Sequence, residues 1–259
     1  MKTTSVLMAM VFASTMSALL GQIATIQTEP ETPILVELFT SEGCSSCPPA
    51  DALLQRMDAF QPVSGAHLIV LSEHVNYWDH DGWKDPYSSS SATERQNQYV
   101  RALGMETAYT PQFIVDGTSE FQIGDAAHAT EAFQKAMTTH KVPVNLGSPI
   151  IEGTTVLRTR VDIDGTSERQ NSDVYVAVAL DHAESQVLRG ENGGKRLKHV
   201  AVVQQLKRVG KLEKGGTFGQ DVDLKLKPGT DSANLRIIVF VQESGPGRVV
   251  GAASRKVAK

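Results

Sequence analysis

The chain has 259 residues, room for two domains of ordinary size. With 41% hydrophobic and 21% charged residues and a net charge of −4, it reads as globular protein, and the composition excludes broad disorder. Beyond the N-terminus no segment is apolar and long enough to span a membrane.

Residues 1–24 have the pattern of a signal peptide. Lys2 is their only charge, an apolar stretch runs from Val6 to Leu20, and small residues such as Ala18 and Ala24 follow, though neither fits an A-x-A cleavage site well. The stretch is too short, and too broken by Ser and Thr, to serve comfortably as a membrane anchor. No cysteine near its end offers a lipid attachment point. The expectation is export, into the periplasm, with no stable membrane span after processing and no nucleic-acid partner.

Residues 33–40 read as a buried strand, and a cysteine loop follows at 41–47. Pro48 and Pro49 suit the first turn of a helix, where a missing N–H costs nothing, and Ala50, Leu53, Leu54, Met57 and Phe60 recur at helical spacing. Residues 67–72 read as a second buried strand. After a polar and aromatic stretch at 73–90, Ser91-Ala-Thr-Glu94 reads as a capping box that opens a helix ending near Gly104. Thr110-Pro111 leads into a short strand at 112–115. Asp116-Gly117 is a hairpin turn signal, and Asp125 caps a last helix carrying Ala129, Phe133 and Met137 on one face. From Pro149 the pattern becomes strands at 154–163, 173–181, 199–206, 219–226 and 234–242, separated by turn residues, as in a sandwich.

Charge divides the chain at the same place. Residues 25–142 carry 16 acidic and 6 basic residues, and residues 143–259 carry 13 acidic and 18 basic. The expected organisation is a leader (1–24), an α/β domain of order βαβαββα (25–142) and an all-β, sandwich-like domain (143–259), with the two oppositely charged domains docked on one another. The basic stretch 195–214 is either a solvated strand face or that docking face, and His199 within it reads as a structural hydrogen-bonding residue.

Cys44 and Cys47 are the only cysteines, and a bridge closing so short a loop constrains little, so the pair points to chemistry rather than architecture. A helix N-terminus favours thiolate over thiol. Cys44, ahead of the helix and expected to be the more exposed, is the candidate nucleophile, and Cys47 the candidate resolving thiol. The expected activity is thiol–disulfide exchange, with no organic cofactor, acting on a thiol or disulfide protein or a small thiol and needing a redox partner. The alternative is a non-catalytic binding module in which the pair is a permanent bridge or a copper(I) clip. Within 73–87, Tyr77, Trp78 and Trp83 would anchor a substrate if the segment is a lid, or fill a core if it is a packed loop. His74, Asp79, His80 and Asp81 are the weak candidates for metal ligation, and no metal site is assigned to them.

A proline just before a short strand, downstream of a strand–CxxC–helix unit, is where a cis peptide is expected. Here the sequence resembles the thioredoxin-like superfamily over residues 33–140. The resemblance implies that Cys44 and Cys47 are the redox pair and that Thr110 and Pro111 form the cis-proline loop that receives substrate backbone. It departs in one respect. The position of the superfamily's buried acid is Leu38, with Glu37 one residue off and facing the other side of the strand. More narrowly, the strings Glu37–Asp51, Tyr77–Trp83, Tyr109–Gln112 and Gly190–Gly194, with His199, resemble an exported bacterial family, the domain of unknown function 1223.

Overall fold

A computed structural model describes residues 31–257, and the expected leader, residues 1–24, lies outside the described residues. The first half runs β1 (Thr32–Thr40), α1 (Pro48–Phe60), β2 (Ala66–His74), α2 (Ser90–Ala102), β3 (Gln112–Val115), β4 (Ser119–Phe121) and α3 (Ala126–Met137), the expected order. The second half is β5 (Val144–Leu146), β6 (Ile150–Glu152), β7 (Val156–Asp164), β8 (Ser172–Gln186), β9 (Arg196–Leu212), β10 (Thr217–Lys225), β11 (Leu235–Glu243) and β12 (Val249–Lys256).

The fold is mixed α/β. Its main sheet has eight strands in the order β12-β11-β8-β9-β2-β1-β3-β4, and β5, β7 and β10, with β6 on β7, form a small antiparallel sheet. β1 and β2 are parallel, and β3 returns antiparallel to β1. The separate sandwich expected after residue 142 is thus replaced by a shared sheet, because β9 joins β2 in parallel at Ser72 and Val202. Ala201, beside that junction, has φ of 50°, and β9 bulges against β8 nearby. From Glu31 onward the chain clusters as one compact unit.

Burial follows from this layout. β1 and β11 are buried along nearly their whole length, with Glu37 and Arg236 the charged residues buried within them. β7 alternates, with Leu157, Thr159, Val161 and Ile163 inward and Arg158, Arg160 and Asp162 outward, because its sheet has one wet face. One core joins α1 and α3 to β1, β2 and β3 through Leu38, Ala50, Leu54, Phe113 and Phe133. A second joins the small sheet to β8, β11 and β12 through Leu157, Val161, Val176, Val239 and Val250.

Two local expectations change. The N-cap of α2 is Ser89, whose hydroxyl accepts from the Ala92 N–H at 3.1 Å, and Glu94 pairs instead with Arg101 at 2.9 Å. The basic stretch on β9 meets the acidic half through its backbone and His199, not through its lysines and arginines. Lys198, Arg208 and Lys211 are exposed and answer Glu184, Asp173 and Glu213. The halves are also tied elsewhere, as by Arg236, whose guanidinium donates to Asp58 on α1 at 2.6 and 2.9 Å. Asp125 caps α3 as expected, accepting from the His128 N–H at 3.1 Å. The Asp116-Gly117 turn has φ of 46° and 71°, and a Cβ at Gly117 would lie 2.2 Å from the Gly247 carbonyl.

Candidate functional site

β1 ends at Thr40 and the chain turns through Ser41-Glu42-Gly43 into the cysteine pair. Cys44 and Cys47 form a disulfide. Cys47 is the N-cap of α1 and Pro48 follows at the first helical position, so no N–H is wasted at the tight entry. The Cys47 carbonyl accepts from the Ala50 and Asp51 N–H groups at 2.8 and 3.1 Å. Phe39 on β1 pairs with Gln112 on β3, which brings the Thr110–Pro111 turn to the same end of the strands. That peptide bond is cis, as expected. Trp78 links the two loops. Its Cβ packs on Gly43, and its indole N–H donates to the Thr110 hydroxyl at 2.8 Å.

Exposure of Cys44 was the expectation, and it is corrected: both cysteines are 0% exposed. The cover comes from the turn joining β8 to β9. The Asn192 side-chain amide donates to the carbonyls of Glu42 and Cys44 at 2.8 and 2.9 Å, and the Glu191 carboxylate accepts from the Ser45 N–H at 3.1 Å. Gly190, at φ 74°, lets this turn approach the 73–87 segment, since a Cβ there would lie 2.9 Å from the Asp81 carbonyl.

The 73–87 segment is tied to the residues around it by side-chain hydrogen bonds. Asp79 accepts from the Ser88 hydroxyl at 2.8 Å and from the Asp85 N–H at 3.3 Å. Trp83 is half-buried, with its indole N–H on Glu42 at 2.8 Å, and Tyr77, 37% exposed, donates to Gln96 at 3.2 Å. The four weak metal candidates are not gathered. His74 is buried on Asp85, Asp79 is engaged with Ser88, and His80 and Asp81 are exposed.

Beneath the cysteine loop lies a buried charge cluster. Glu42, fully buried, receives hydrogen bonds from Trp83 and from the Ser185 hydroxyl, and meets His199 Nε2 at 3.2 Å. The other nitrogen of His199 lies 3.6 Å from Asp51 Oδ1, an ion-pair distance longer than a hydrogen bond, and neither atom has another partner among the described residues. Burial alone would depress the His199 pKa, but the Asp51 and Glu42 carboxylates outweigh it and raise the value to about 9. The His74 ring stands edge-on to His199 at 4.7 Å and holds Asp85 at 2.7 Å. Burial works against the Asp85 carboxylate too, yet His74 and backbone N–H groups keep its pKa below the usual carboxylate value.

The family described as a protein of unknown function, DUF1223, matches residues 35–242. The chain belongs to this family. Among solved structures, protein AGR_C_4864 of Agrobacterium tumefaciens is similar, with 29% identity, 89% of this chain and 96% of that one covered, and a TM-score of 0.67. HBP35 of Porphyromonas gingivalis is 15% identical over 88% of this chain and 76% of its own, with a TM-score of 0.62, a likeness in fold alone. No curated protein matches.

Sequence reasoning about this DUF1223 chain missed Glu42, Asp51, Asp85 and Asn192 as site residues and read His199 only as structural. Two signals were legible. Asp51 follows Cys47 by one helical turn, beside the apolar positions Ala50 and Leu54. His199 shares the inward phase of its strand with Leu197, while Lys198 points out. Asn192 lies in the Gly190–Gly194 string, but nothing local ties it to the cysteine loop, where its partners lie 150 and 148 positions away.

Proposed function

We propose that the protein is an exported, periplasmic thiol–disulfide oxidoreductase with a thioredoxin-like site. The observation that carries this is the place of the pair, with Cys47 capping α1 and Cys44 in the loop before it. The partial positive charge of the helix end favours thiolate over thiol there, so Cys44 of the reduced pair is nucleophilic near neutral pH. Cys44 attacks a substrate disulfide, forming a mixed disulfide and expelling one thiolate. Cys47 then attacks the Cys44 sulfur, which closes the bridge and releases the second substrate thiol. The substrate is a thiol or disulfide protein or a small thiol, and a separate redox partner resets the pair. Thr110, Pro111, Tyr77 and Trp78 form the substrate side, and Trp83 shapes it from below through Glu42. No helix among the described residues is long and apolar enough to cross a membrane.

Complete burial of both cysteines favours a second reading, a permanent bridge. Equilibrating the protein in thiol–disulfide buffers of graded potential, then trapping thiols with iodoacetamide, separates the two. The enzymatic reading expects reversible reduction at a potential above about −300 mV, the region below which structural bridges of secreted proteins lie. A bridge that stays closed to more negative potentials assigns the pair to architecture and overturns it.

A further inference from the structure

We propose that Asp51 accepts the proton of the Cys47 thiol as Cys47 resolves the mixed disulfide, and that His199 positions and balances that carboxylate. The inference rests on the thiol–disulfide reading above and assigns the proton handling within it. Cys47 already has helical φ and ψ (−76°, −38°), so Asp51 is its i+4 neighbour on one face of α1, with Cβ atoms about 5–6 Å apart. The Asp51 carboxyl is buried, 5% exposed, and its Oδ1 has no hydrogen-bond partner. A buried polar atom without a partner is costly, and such groups call for an explanation. Among the described residues the basic group paired with that oxygen is His199, at 3.6 Å, through a ring nitrogen that is likewise unpartnered. The buried carboxylate on β1, Glu37, is spent on Arg95 and Tyr99.

A cavity of about 330 Å³ is lined by Gln55, Glu184, Lys198 and His199 on this side of the cluster. The groups that set the local potential come from every side: Glu42 from the cysteine loop, His74 from β2, Asp85 and Tyr87 from the 73–87 loop, and Glu184 and Lys198 from the cavity wall. In the resolving step the Cys47 S–H proton passes to Asp51, the Cys47 sulfur bonds to the Cys44 sulfur, and the bond between Cys44 and the substrate sulfur breaks. The departing substrate thiolate takes a proton from solvent, and the substrate disulfide is the oxidant for the pair.

The test uses the reduced full-length protein and one equivalent of dithiobis(nitrobenzoate), read by stopped-flow absorbance. The first thionitrobenzoate released reports attack by Cys44, and the second reports resolution by Cys47. Asp51→Asn is expected to slow only the second phase, roughly a hundredfold near neutral pH, and to make it rise with pH where the wild type is flat. His199→Gln is expected to give a smaller loss and a displaced pH profile. A wild type that releases neither equivalent overturns the thiol–disulfide reading itself. A wild type that releases both, with Asp51→Asn resolving at the same rate across the pH range, overturns only the role of Asp51. If the variants do not fold, carbon-13 NMR of the wild-type Asp51 carboxyl decides. An upward shift of its titration on reduction of the disulfide supports the role, and an unchanged titration overturns it.

Discussion

Glu37 and Glu42 are both fully buried, and each centres a cluster of charge, yet different cations answer them. Glu37, on β1, accepts from Arg95 Nε at 2.5 Å and from the Tyr99 hydroxyl at 2.5 Å. Arg95 also meets Glu73 at 3.3 Å, donates to Gln242 at 3.3 Å, and lies over the rings of Tyr99, Tyr175 and Phe240. A guanidinium does not give up its proton in a protein, so this cluster has a fixed cation. Glu42, beside the cysteines, faces the imidazole of His199, a cation that can give up its proton. Burial held by a permanent charge makes a structural tie between α2 and the second half of the sheet. Burial held by a titratable one makes the stability and the chemistry of the site depend on protons.

The largest test of this contrast is Arg95→Met. It leaves Glu37 and Glu73 buried without their cation, and the expected loss is about 3–5 kcal/mol in urea unfolding at neutral pH. A loss below about 1 kcal/mol would remove the structural role given to that cluster.

The next concerns His199 in the oxidised protein. Its folded pKa of about 9 lies above the ordinary histidine value, so folding favours the protonated form. That stabilisation is complete below about pH 6.5 and is lost as pH rises through 9, on the order of 3 kcal/mol. Urea unfolding at pH values spanning this window should show the decline in the wild type and a flatter profile in His199→Gln. Identical slopes would mean that the imidazole is not the group being titrated.

The smallest expected effect is at Glu73. Burial, then the neighbouring Glu37 charge, pushes its pKa well above the usual value, so the fold favours its neutral form. A raised acid pKa costs stability as pH climbs above the unfolded value. Glu73→Gln should therefore be a gain rather than a loss at neutral pH, on the order of 1 kcal/mol, and close to silent in mild acid. A clear destabilisation at neutral pH would show that Glu73 works as a carboxylate and that the first cluster carries more charge than described.

The cysteine loop was legible because its signals are contiguous: a buried strand, the pair, two prolines and a helical repeat follow one another. The same holds for the Asp116-Gly117 turn and the Asp125 cap. The α2 cap was misplaced because Ser88, Ser89, Ser90 and Ser91 all offer the same hydroxyl, and only the fold selects Ser89. The strands at Val144–Leu146, Ile150–Glu152 and Val249–Lys256 escaped notice because two are too short to show a period and the third is interrupted by small residues at Gly251, Ala252 and Ala253.

By itself, then, the sequence determined the order of helices and strands in the first half, the β-rich character of the second, and the place of the cysteine pair, since each depends on spacing and turn chemistry within a few residues. The tertiary structure decided that β9 completes the first half's sheet, that Asn192 covers Cys44, and that His199 meets Glu42 and Asp51. Those contacts join positions more than 100 residues apart, and only the pairing of β9 with β2 and the seating of the cysteine loop and α1 against them, not any local preference, set which buried charges end up side by side.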